Sequence, residues 1–162
     1  MEALKTVTIS KRAELAAKGG HPWIYGSEIK GKDEGIEPGE IVRVLSGKGK
    51  FIGNGFYNEH SKITVRIIST NANDRFDDAF WKRRVSYALD YRLQVMRPED
   101  YDNMRIIFGE ADQLPGLTVD RFGDVLSVQV LSLGIEKNKD IILNSLIEVL
   151  RQHGLPVSCV YE

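Results

Sequence analysis

Four carboxylates, Glu110, Asp112, Asp120 and Asp124, fall inside the stretch GEADQLPGLTVDRFGD, residues 109–124. Oxygen donors at that density suit a hard cation, but the spacing lacks the ligand pattern of an EF-hand loop. The same residues also suit a tight acidic turn, or one wall of a cleft whose other wall lies elsewhere. Other chemistry is scarce. No two histidines stand at metal-binding helical spacing and there is no Cys-x-x-Cys, so no metal site is expected. His21 and His60 fall in loops, and His153 falls at a helix C-terminus, where it complements the dipole. None of the three is expected to act as a catalytic base. Cys159, the single cysteine, lies in an apolar run without a neighbouring base and is expected to be an inert core residue. No glycine-rich dinucleotide loop and no phosphate-loop Lys-Ser/Thr pair occurs. The chain is expected to hold no catalytic residue of its own.

The cations are distributed unevenly. Residues 1–75 carry 12 Lys/Arg against 9 Asp/Glu, and residues 76–162 carry 10 against 14, so a net charge of −1 hides halves of +3 and −4. Such a split suggests two modules, of which the first suits a polyanion. Gly47, Gly49, Gly53 and Gly55 lie within strand-like runs. Each marks a barrel corner, or a bare backbone that a phosphate chain approaches with help from Lys48 and Lys50. Arg83 and Arg84 are read as a solvated helix face, with nucleic-acid contact as the alternative.

These residues need elements to position them. Residues 5–10 alternate as a strand, and Ser10 caps a helix over 11–18 that Gly19 and Gly20 end. Residues 21–29 are extended, and 39–46, 49–58 and 62–69 are further strands with hairpin loops between them. Short strands this close together suggest a small barrel. A polar linker, 70–78, follows, with Asp74 and Asp77 spaced as a capping box. The helix 75–96 carries an apolar stripe at Trp81, Val85, Leu89, Leu93 and Met96, and Arg97-Pro98 stops it. Strands are expected at 103–111, 116–122 and 124–132, with a type II turn at Leu114-Pro115-Gly116-Leu117. A helix over 136–152 and a strand over 155–162 complete an α+β reading. The domains are 1–72 and 73–162, the second ending on a strand that looks cut. The longest apolar runs fall short of a membrane span, the N-terminus lacks a signal peptide's apolar core, and the lone cysteine implies a reducing compartment. The expected location is the cytoplasm, away from any membrane.

Three segments then carry a resemblance. GGHPWIYGSEI, GKFIGNGFYNEHSKITVRIIS and IIFGEADQLPGLTVDRFGDVLSVQVLS occur in order along the chain. Together they resemble the N-terminal part of the S-adenosylmethionine-dependent methyltransferases that modify cytosine C5 in large-subunit ribosomal RNA. The resemblance covers essentially the whole chain. It implies a PUA-type RNA-recognition barrel, then an α+β connector, with a Rossmann-like catalytic domain expected beyond and absent from this chain. Cys159 does not match that family's catalytic cysteine. No cofactor is therefore expected here, although S-adenosylmethionine is expected for the complete protein.

On this reading the partner is structured RNA, ribosomal RNA in particular. The expected contacts are Lys11, Arg12, Lys18, Lys48 and Lys50 for charge, and Gly20 and His21 for close backbone approach. Tyr25 and Tyr57 are divided between base stacking and core, while Trp23 and Phe56 are expected in the core. Glu110, Asp112, Pro115, Gly116 and Asp120 would face the cleft toward the catalytic domain, or form an ordinary acidic turn. The cut strand, with Val157, Cys159 and Tyr161 on one face, predicts a homodimer through an unpaired edge. A stand-alone RNA-binding adaptor fits the same residues, and a metal- or small-molecule-binding module would rest on the acidic loop.

Overall fold

The computed structural model describes residues 3–162, and the chain divides into two compact units, Met1–Asp74 and Arg75–Glu162. The architecture is mixed α+β. No helix among the described residues is long and apolar enough to cross a membrane.

The first unit is a sheet curled around one core. Its strands are β1 (Thr6–Ile9), β2 (Trp23–Tyr25), β3 (Ile29–Lys32), β4 (Ile41–Ser46), β5 (Phe51–Tyr57) and β6 (Ile63–Ser69). They pair in the order β2-β6-β5-β4-β1-β3. All neighbours are antiparallel except β1 and β4, which run parallel. A parallel pair needs a long crossover, and the chain from α1 (Lys11–Lys18) through β3 supplies it. Val7, Ile9, Ile24, Val42, Val44 and Val65 fill the interior, each burial contributing about 1.5–3 kcal/mol. The strand glycines split into two kinds. A Cβ on Gly53 would lie 2.8 Å from the Ser69 carbonyl oxygen, and one on Gly55 would lie 2.6 Å from that of Arg66. These two let β5 and β6 close together beside a register shift, a packing duty that leaves neither open to a phosphate. Gly49 serves a turn at φ +73°.

The second unit holds α2 (Asp78–Val95), β7 (Asn103–Phe108), β8 (Leu117–Phe122), β9 (Val125–Val130), α3 (Leu133–Gln152) and β10 (Cys159–Tyr161). The sheet order is β10-β9-β8-β7. The β7–β8 and β8–β9 pairs are antiparallel, and β9–β10 is parallel with α3 as its crossover. Trp81, Val85 and Leu89 of the expected stripe are buried, whereas Leu93 and Met96 are half-buried.

Three boundaries and one burial differ from the sequence reading. Asp77, rather than Asp74, caps α2 by accepting the Phe80 N–H at 3.1 Å. The Asp74 carboxylate is held by the Ser69 hydroxyl and the Asn71 amide instead. The strand expected at 103–111 stops at Phe108, because Gly109–Asp112 form a 3-10 turn that Gln113 closes at φ +57°. The last helix starts at Leu133 because Ser132 caps it, its Oγ accepting the Ile135 N–H at 3.4 Å while donating to the Pro115 carbonyl at 2.8 Å. Cys159 is exposed and not a core residue. It lies on β10, the short edge strand, all three residues of which are exposed.

Candidate nucleic-acid interface

The parallel β1–β4 register places Ile9 opposite Ser46. The N-terminus of α1 therefore lies beside the β4–β5 turn, and a Cβ on Gly47 would sit 3.9 Å from the Ile9 carbonyl oxygen. Ser46 fixes that turn: its Oγ accepts the backbone N–H of Lys48 at 3.3 Å and of Lys50 at 3.1 Å. Both lysine side chains are left exposed, with no carboxylate partner among the described residues.

On α1, Ser10 supplies the cap, its Oγ accepting the Ala13 N–H at 3.1 Å. Lys18 and Lys11 hold Glu14 from both sides, at 2.5 and 3.2 Å. Hydrogen bonds from Lys18 first, then Lys11, keep the Glu14 carboxyl below the usual carboxylate range. Arg12 approaches Glu28 at 3.8 Å, with its own side chain 92% exposed. Exposed pairs of this kind contribute roughly 0–1 kcal/mol, so a phosphate can replace the carboxylates at little cost. Three cations on α1 stand against two carboxylates, and the two turn lysines follow Gly47, which lies beside the N-terminal end of that helix.

Gly20 and His21 do not offer free backbone donors. The N–H groups of Gly19, Gly20 and His21 bond back to Leu15, Ala17 and Ala16, so the segment closes the helix. Gly20 takes φ +91° with nothing within 4 Å of where a Cβ would stand, which is the geometry of a helix end. The His21 ring lies 5.7 Å from that of Trp23. The Arg66 guanidinium, from the strand position opposite Trp23, lies over the same indole at 5.7 Å. Trp23 is only half-buried, so this cluster reaches the surface that the sequence reading had assigned to core.

The tyrosines part company. Tyr25 is 39% exposed, whereas Tyr57 is 2% exposed and cannot present a ring face to a base. Its hydroxyl accepts from Lys32 at 2.7 Å and donates to Glu59 at 3.3 Å. Lys32 was missed in the sequence reading. Its ammonium is shared by Tyr57 and Glu59, and the bond to Glu59, followed by that to Tyr57, raises its pKa. Nothing local signals that cluster, because β3 and the residues after β5 meet only in the folded sheet.

In the second unit the acidic loop is largely occupied. Asp112 takes a two-pronged pair from Arg92 at 2.9 and 2.6 Å and accepts the Phe108 N–H at 2.6 Å. Asp120 pairs with Arg105 at 2.7 and 2.9 Å, and Asp120 is the main cause of a raised Arg105 pKa. The Glu110 carbonyl accepts the Gln113 N–H. Leu117 donates to the Leu114 carbonyl at 3.0 Å, with Pro115 and Gly116 at the centre of the turn and Gly116 at φ +86°. No group of three or more His, Cys, Asp or Glu among the described residues could hold a metal.

Residues 7–70 match the family model of the PUA-like domain. The chain is homologous to large-subunit ribosomal RNA methyltransferases. It is 30% identical to a Klebsiella pneumoniae protein named ribosomal RNA large subunit methyltransferase I, covering 96% of this chain and 38% of that protein. It is 36% identical to a ribosomal RNA large subunit methyltransferase of Deinococcus radiodurans, over 75% of this chain and 31% of that one. The chain thus spans about a third of the length of the curated relatives it matches. Its fold is similar to that of a Streptococcus mutans structure assigned as a S-adenosylmethionine-dependent methyltransferase, with TM-score 0.79, 15% identity, and coverage of 95% of this chain and 39% of that one.

Proposed function

We propose that this PUA-like chain is the RNA-recognition portion of a S-adenosylmethionine-dependent methyltransferase of large-subunit ribosomal RNA, with cytosine C5 as the atom modified. One observation carries the reading: the sheet register sets Ile9, just before the α1 N-terminus with Lys11 and Arg12, opposite Ser46, just before the turn of Lys48 and Lys50. The named activity of the homologues supplies the substrate class. The resemblance of three sequence segments to cytosine-C5 enzymes supports the position modified. On this reading the chain binds and orients the RNA, the loop bearing Glu110, Asp112, Pro115, Gly116 and Asp120 faces the cofactor domain, and the methyl donor binds outside these residues.

Charge-led binding sets the test. Neutralising about three to five phosphates gives a log–log salt slope of roughly −2 to −5. Replacing Lys48 and Lys50 together by glutamate should weaken binding to structured RNA and flatten that slope by about 1–2. Titration of a ribosomal RNA hairpin at several salt concentrations measures both quantities. Affinity independent of salt, or unaffected by the double replacement, would count against the surface.

A further inference from the structure

The second unit carries a groove of about 700 Å³ between α2 and the segment from β7 to Gln113. That volume lies within the range of roughly 300–1,000 Å³ typical of small-ligand pockets. Tyr87, Tyr91 and Phe108 line it while remaining 61%, 58% and 56% exposed. Large aromatic rings left this open are uncommon on a surface without a partner. Two of them share a construction. The Arg92 guanidinium lies 5.2 Å from the Tyr91 ring centre and is pinned by Asp112. The Arg105 guanidinium lies 5.2 Å from the Phe108 ring centre and is pinned by Asp120. Each guanidinium is therefore held beside its ring before anything binds, which lowers the entropic cost of stacking there.

Charge narrows the occupant. Residues 75–162 carry 11 Lys/Arg against 14 Asp/Glu, yet Arg84, Arg92 and Arg105 line the groove against two carboxylates, Asp112 on Arg92 and Asp120 on Arg105, with Arg84 donating to the Gln113 side-chain oxygen. A cationic, aromatic groove within an acidic unit fits a flat π system attached to a negative backbone. Aromatic faces with arginine beside them are the usual platform for unpaired bases.

We propose that this groove is a stacking site for unpaired bases of RNA, with Tyr87, Tyr91 and Phe108 as platforms and Arg84 as the phosphate contact. The site belongs to the second unit alone and stands without the first-unit surface. An RNA whose target nucleotide lies next to a loop or bulge would engage it, whereas a perfect duplex keeps its bases stacked and unavailable.

The test uses the whole chain and its Tyr87→Ala/Tyr91→Ala variant. Both side chains are exposed, so the unfolding midpoint should stay within a few degrees. A fluorescein-labelled oligoadenylate of ~10 nucleotides is titrated beside a duplex of equal length. The expected result is a loss of about tenfold or more in single-strand affinity, with duplex affinity held within about twofold. Three results overturn the proposal: no single-strand binding by the unaltered chain at ~1 mM, weaker than ordinary non-specific association; equal affinity of both proteins for the strand; or equal losses for strand and duplex. Loss of self-association on sedimentation, with single-strand affinity intact, would instead identify the groove as a protein-binding face.

Discussion

Gly116 carries two constraints at once. Its φ is +86°, and a Cβ there would lie 2.7 Å from the Ser132 Cβ and 2.8 Å from its Oγ. Ser132 cannot easily give way, since its hydroxyl both caps α3 and holds the Pro115 carbonyl. Gly123 shares the first constraint only: its φ is +61° and nothing lies within 4 Å of a Cβ. The left-handed conformation alone costs an alanine about 1–2 kcal/mol, and overpacking adds about 1–3. Gly123→Ala should therefore cost about 1–2 kcal/mol, and Gly116→Ala about 2–5. Denaturant unfolding of the two variants compares them directly, and equal losses would remove the Ser132 clash from the explanation. Tyr57 teaches the complementary point at this scale. Its ring is core, and its hydroxyl alone reaches the polar cluster of Lys32 and Glu59.

At the scale of elements, α1 combines a structural role with the proposed binding one. Eight residues are too few for a stable isolated helix, so caps and docking must hold it. Ser10 caps one end, the Gly19–His21 amides close the other, and Ala13 is buried against the sheet. The Lys11–Glu14–Lys18 clamp leaves cations on the outside while lowering the Glu14 pKa from its ordinary 4.5. A carboxylate with a depressed folded-state pKa contributes stability that is complete above its unfolded value and is lost as pH falls through the folded one. The clamp should thus be fully effective at neutral pH and fade below pH 4.5. Unfolding midpoints of the native chain and Glu14→Gln, compared along a pH series, should differ at neutral pH and converge in acid. A gap that is constant with pH would assign the loss to packing instead.

For the whole molecule, the proposed separation of recognition from chemistry makes a cofactor prediction. Each described helix lacks a glycine-rich loop leading into it from a strand: α3 follows β9 through Leu131 and Ser132. A ligand present at 100 times its dissociation constant stabilises the folded state by ~2.7 kcal/mol, a shift easily seen. S-adenosylmethionine in such excess should leave the unfolding midpoint of this chain unchanged, as read by differential scanning fluorimetry. A rise of several degrees would place a cofactor site within these residues and overturn the division of labour.

The sequence by itself determined the features that depend on neighbours along the chain. Ser10 and Gly19 bounded α1, the Leu-Pro-Gly-Leu turn followed from the backbone preferences of Pro115 and Gly116, and helical periodicity marked Trp81, Val85 and Leu89 as buried. These are local effects of sterics, capping and repeat, so residue order suffices to specify them. Only the tertiary structure decided what depends on partners far apart in sequence. It paired β1 with β4 in parallel and so brought α1 and the Lys48–Lys50 turn together. It buried Tyr57, spent the Gly20 and His21 amides on the helix end, and exposed Cys159 on an edge strand. It also joined Arg92 to Asp112 and Arg105 to Asp120, shaping the aromatic groove. A side chain's exposure and charge partners are set by the surfaces packed around it, and those surfaces exist only once strands distant in sequence share a sheet.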